Sequence, residues 1–104
     1  MGTVRITVID KIARQELQRK YGVIDFKDGD DTTCDKVKIG DTFTYGDGDN
    51  VPANFCPWAW ADINRDVEAL KNGANFGWIK PGGTSIACCT DGLRPVIFKI
   101  ERIG

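Results

Sequence analysis

The stretch from Phe55 to Gly73, "FCPWAWADINRDVEALKNG", constrains the fold more than any other part of the chain. Pro57 suits the first position of a helix, where its missing N–H costs nothing. Trp60, Ile63, Val67 and Leu70 then recur at spacings of three, four and three, the continuous apolar stripe of a helix lying on a core. Asp62, Arg65, Asp66, Glu68 and Lys71 fall off that stripe and are expected to face water. Asn72 and Gly73 supply the left-handed stop. Such a helix requires an apolar surface to lie on.

Two strands at opposite ends of the chain offer that surface. In "TVRITVI" (Thr3 to Ile9) the residues Val4, Ile6 and Val8 alternate, and near the other end Val96, Phe98 and Ile100 do the same. The two are expected to share one sheet. Between them, Asp10 is positioned to cap a first helix over Lys11 to Tyr21, with Ala13, Leu17 and Tyr21 at helical spacing and Gly22 as its end. Residues 22–36 are Asp-rich and read as a loop carrying Cys34. "KVKIGDTFTY" predicts a short strand or hairpin turning at Gly40-Asp41, and "GDGDNVP" a further loop. "TSIACC" and "RPVIFKIERI" predict a hairpin with a two-residue turn at Asp91-Gly92. That turn sets Cys89 opposite Arg94 and Cys88 opposite Pro95. The order β-α-β-α-β-β predicts one α+β domain over residues 1–104, a sandwich of two helices on a mostly antiparallel sheet.

The chain has no histidine, which removes the commonest general base, the commonest zinc ligand and every Ser-His or Cys-His arrangement. A formal net charge of -1 argues against a protein that grips nucleic acid through its phosphates. No apolar run approaches the ~20 residues of a membrane span. "MGTVRITVID" lacks the features of a signal peptide, and Ile6 stands where myristoylation requires Ser or Thr. A cytoplasmic protein is expected, its oligomeric state open.

Four cysteines remain as the chemistry-bearing residues: Cys34, Cys56, Cys88 and Cys89. In a reducing compartment they are metal ligands, redox groups or buried residues more often than a disulfide framework. Without histidine, any metal site they form is all-thiolate, which suits zinc or an iron–sulfur cluster. Their spacings of 22, 32 and 1 match no zinc-knuckle or ferredoxin pattern, so convergence would have to come from the fold. Cys56 falls at the expected helix N-cap, where free N–H groups favour negative charge. The alternative is a small buried residue beneath Trp58 or Trp60. Cys88 and Cys89 point to opposite faces if their strand is regular, and Arg94 then favours a thiolate at Cys89. The expected order of thiolate character is Cys56 first and Cys89 second, with Cys34 held neutral by its acidic loop.

"DGDD" and "DGDN" are better explained as turns than as calcium loops. The twelfth position is Ile39 counted from Asp28 and Trp58 counted from Asp47, and neither supplies the closing Glu. Trp58, Trp60 and Trp78 line a pocket, present a face to a protein partner, or form core.

"FCPWAWADI" and "CCTDGLRPVIFKIERI" resemble the signature segments of a family of short, uncharacterised prokaryotic proteins, frequent in anaerobes. The likeness covers Phe55 to Ile103 well and the first fifty residues loosely. It implies a shared fold and brings no activity and no catalytic residues. The residues themselves predict a cytoplasmic thiol-rich protein, either metal-binding (iron–sulfur or zinc) or acting in thiol redox. Cys56 and Cys89 lead that reading, with Cys34 and Cys88 as co-ligands. The rival is a non-catalytic interaction or accessory module with structural cysteines and a tryptophan-rich face for a partner. A hydrolase or transferase ranks third, since no base, nucleophile pair or phosphate loop is visible.

Overall fold

The computed structural model describes residues 2–46 and 50–104. Its elements are β1 (Val4–Lys11), α1 (Gln15–Tyr21), β2 (Thr42–Tyr45), α2 (Pro57–Lys71), β3 (Thr84–Cys88) and β4 (Val96–Arg102). The α+β class and the order β-α-β-α-β-β hold. The strands form one sheet in the order β2-β1-β4-β3, every neighbouring pair antiparallel. The two terminal strands are its centre. Ile6 faces Ile100 and Val8 faces Phe98, so both alternating sets lie on the same side. That side is the core: Val4, Ile6, Val8 and Ile100 are fully buried, and Phe98 is 2% exposed.

Helix α2 covers this face with Ala59, Ile63, Val67 and Leu70. Cys56 is its N-cap and Pro57 its first residue, as the sequence predicts. The residue before the cap anchors the helix start. Phe55 is buried and meets Trp60 edge-on at 5.7 Å, joining the residue before the cap to the fourth helical position. The same ring lies 4.8 Å from Phe43 of β2 and 5.5 Å from Phe98 of β4. At the other end Gly73, with φ +98°, ends the helix, and Arg102 Nη1 donates to the carbonyls of Leu70 and Ala74 at 2.8 Å.

Three local expectations are corrected. The first helix does not begin at Lys11 under an Asp10 cap. Strand β1 continues through Asp10 and Lys11, past a bulge after Val8, because these residues still pair with Ile97 and Val96. Helix α1 therefore starts at Gln15, and its buried residue is Gln18 rather than Tyr21, which is 66% exposed.

The second correction concerns the hairpin. Cys88 pairs with Ile97, not Pro95, and the Cys89 N–H donates to the Val96 carbonyl. Asp91 Oδ1 accepts from the N–H groups of both Leu93 and Arg94, which builds a side-chain turn and widens the link. Neither Asp91 nor Gly92 takes a positive φ. The third concerns α2, where several polar residues work inside the structure. Asp62 and Asp66 bond to Thr90 and Ser85, Glu68 accepts from the Tyr45 hydroxyl, and Lys71 is buried. The loop expected over "GDGDNVP" lies partly outside the described residues, with Asp47 of the calcium-loop comparison.

Two substitutions check this packing. Phe98→Ala is expected to cost ~3–5 kcal/mol in a denaturant titration, since the ring is enclosed by Val8, Phe55 and Ala87. Gly92→Val is expected to shift stability by no more than ~0.5 kcal/mol, because Gly92 has open space around it and needs no positive φ. A large loss of melting temperature in the valine variant would restore the two-residue turn.

Candidate functional site

Three of the four cysteines border the same cavity. Cys34, Cys56 and Cys89 line one cavity of about 730 Å³ between the start of α2, the end of the β3–β4 hairpin and the loop before β2. Val37, Val96, Phe98 and Trp58 give it apolar walls, and Lys36 and Arg94 also line it. Each thiol arrives by a different device.

Cys56 is set by the helix start. Its extended backbone (φ -63°, ψ 121°) turns into α2, and its side chain makes no capping hydrogen bond. No acidic residue stands in the first turn. The Cys56 thiol is half-buried at a helix end whose first N–H groups have no partner inside the helix.

Cys34 is set by a lysine. Lys11 Nζ donates to the carbonyls of Cys34 and Val37, each at 3.0 Å. Those two bonds hold the loop against the end of β1 and bury Val37. Cys34 is left half-buried against the core. Sequence periodicity assigned Lys11 to a helix, and only the extension of β1 shows its task.

Cys89 is set by the hairpin and by α2. Its N–H bonds to the Val96 carbonyl at 3.1 Å, and its Sγ accepts the Val96 N–H at 3.3 Å. The next residue, Thr90, is clamped by Asp62, whose carboxylate takes the Thr90 N–H at 2.7 Å and its hydroxyl at 3.0 Å. Cys89 is buried. The expected pairing of Cys89 with Arg94 does not form, because the register sets Cys89 opposite Val96; Arg94 Nε lies 3.5 Å from the Asp91 carboxylate.

Cys88 is elsewhere. It ends β3 opposite Ile97, on the face of the sheet that α2 does not cover, and it is exposed. Strand alternation splits the tandem pair as geometry requires. Of the tryptophans, Trp60 packs on the core beside Tyr45 at 5.1 Å. Trp58 is 65% exposed at the cavity, and Trp78 is 79% exposed and stacked on Phe76.

All four cysteines are free thiols. Lining one cavity puts Cys34, Cys56 and Cys89 on a common surface, with Cys34 and Cys56 half-buried and Cys89 buried. Their softness suits zinc or iron, but among the described residues no group of three or more Cys, Asp or Glu is placed to hold a metal ion. No helix among them is long and apolar enough to cross a membrane. Comparison with known proteins finds no matching family model, curated protein or solved structure.

The Asp62 clamp gives a direct test. Asp62→Ala is expected to cost ~1–2 kcal/mol through the lost charged hydrogen bonds to Thr90. It should also raise the alkylation rate of Cys89, with Cys88 as internal reference. Unchanged protection of Cys89 in that variant would mean the hairpin end does not depend on α2.

Proposed function

We propose that this protein is a small cytoplasmic thiol-redox protein, with Cys56 as the attacking sulfur and Cys34 as the resolving one. The placement of three cysteines from distant parts of the chain along one largely apolar cavity carries this reading. Of these three, Cys56 and Cys34 are half-buried and Cys89 is buried. The Cys56 thiolate attacks one sulfur of a substrate disulfide, forming a mixed disulfide and releasing the other substrate sulfur as a thiolate. Cys34, as a thiolate, then attacks the Cys56 sulfur. This releases the second substrate thiolate and leaves a Cys34–Cys56 disulfide, so the protein is oxidised as the substrate gains two electrons. Cys89, with its sulfur bonded to the Val96 N–H, shapes the cavity floor. The exposed Trp58 beside the thiols offers a protein substrate an apolar contact.

Zinc or iron–sulfur binding is the weaker reading, since no group of three or more Cys, Asp or Glu among the described residues is placed to hold a metal ion. Exchange chemistry brings sulfurs together two at a time, whereas a closed structural metal site takes four ligands at once. The redox reading therefore asks less of the arrangement.

The test equilibrates the folded protein in glutathione buffers of graded potential and maps disulfides after acid quenching. A reversible Cys34–Cys56 disulfide is expected, absent from Cys34→Ser and Cys56→Ser and unaffected by Cys88→Ser. If Cys56 forms no intramolecular disulfide at any potential, the redox assignment is wrong. Stoichiometric zinc or iron after oxygen-free purification would put the metal reading in its place.

A further inference from the structure

The segment that brings Cys34 to the thiol cavity has few polar ties to the rest of the fold. Upstream, the loop is fastened to α1. Gln15 Nε2 donates to the Asp30 carbonyl and the Thr32 hydroxyl, and Gln18 Nε2 donates to the Thr32 carbonyl. Downstream, the Gly40 N–H donates to the Val8 carbonyl at 2.8 Å and returns the chain to the sheet. Between these anchors lie residues 33–37. Among the described residues, their only hydrogen bonds to another element are the two accepted from Lys11 Nζ, by the carbonyls of Cys34 and Val37.

Lys11 is itself firmly placed. Its backbone pairs with Val96 in the β1–β4 ladder, and the Val96 N–H donates to Cys89 Sγ at 3.3 Å. One residue thus joins two thiol-bearing segments, the hairpin end through its main chain and the Cys34 segment through its side chain. The two carbonyls stand three residues apart, so the ammonium fixes the orientation of the segment as well as its position. Bonds from a charged donor are also about twice as strong as neutral ones. Val37 adds its buried side chain at the same point.

We propose that Lys11 is a positioning residue for the closing step of thiol exchange, an inference that rests on the redox reading above. Its ammonium keeps Cys34 at the cavity and so sets how readily the Cys34–Cys56 disulfide closes. Attack by Cys56 does not depend on it. With glutathione disulfide as oxidant, the Cys56 thiolate attacks one sulfur, forms a mixed disulfide and releases one glutathione thiolate. The Cys34 thiolate then attacks the Cys56 sulfur and releases the second, so the protein gives up two electrons and the glutathione disulfide gains them. Only this second step uses Cys34, and its yield follows the effective concentration of that thiolate at Cys56.

The experiment compares the full chain with Lys11→Met, which keeps an apolar stem and removes the donors, in glutathione buffers of graded potential. Acid-quenched samples are mapped by mass spectrometry. The equilibrium constant for the Cys34–Cys56 disulfide is expected to fall about tenfold, which moves its potential ~30 mV less negative. The mixed disulfide of Cys56 with glutathione should accumulate in its place, while the alkylation rate of reduced Cys56 stays within about twofold of the wild-type rate. Lys11→Gln, shorter and uncharged, is read in the same way and serves if the methionine variant does not fold. Gln15→Ala is the control, since it cuts two bonds to the same loop upstream of Cys34 and should leave the potential where it was. A wild-type potential in the Lys11 variants, an equal shift in Gln15→Ala, or a parallel loss of Cys56 reactivity would overturn the positioning role and leave the redox reading standing. A wild-type chain that forms no Cys34–Cys56 disulfide at any potential would overturn both.

Discussion

Phe55 is the residue on which the arrangement depends. Its ring touches one aromatic from β2, one from α2 and one from β4, so the helix start and the sheet are fixed against each other at one point. Aromatic contacts of this kind add ~0.5–1.5 kcal/mol each beyond the area they bury. Their larger consequence is geometric. The residue after Phe55 is Cys56, which has no freedom to leave the cavity while its neighbour is held from three sides. The cluster of costly side chains in "FCPWAW" is therefore a mounting for the thiol that it contains.

The sheet and α2 were legible in the sequence because one physical rule governs each. Val4, Ile6 and Val8 alternate because one face of β1 is buried and the other is wet, and Val96, Phe98 and Ile100 do so for the same reason. Helix α2 declared its start at Pro57 and its end at Gly73 through backbone chemistry that needs no tertiary partner. Where two local rules competed, the sequence misled. Asp10 is a good cap, but the ladder to Ile97 continued the strand through it. Asp91-Gly92 is a good two-residue turn, but Asp91 used its carboxylate to cap a wider one.

The site was half legible. Cys56 at a helix cap and the splitting of Cys88 from Cys89 follow from local geometry alone. Cys34 falls in its loop as expected, yet nothing in its neighbours reveals that it borders the same cavity as Cys56. Its partner in that placement is Lys11, twenty-three residues away, whose ammonium ties down the backbone at Cys34 and Val37. Asp62 was read as a solvated residue because helical periodicity sees faces and not the hydrogen-bond donors that another element brings to them. The Asp-rich loop read correctly as turn chemistry at Asp30 and Asp31.

The central claim is that the fold gathers thiols into one cavity and keeps Cys88 out of it. Phenylarsine oxide, whose arsenic bridges two neighbouring thiols, tests that claim directly in the folded, reduced protein. The account predicts one tightly bound arsenic per chain, mapped by mass spectrometry to Cys56 and a second cavity thiol, and unchanged in Cys88→Ser. Arsenic that binds only after unfolding, or that requires Cys88, would contradict it.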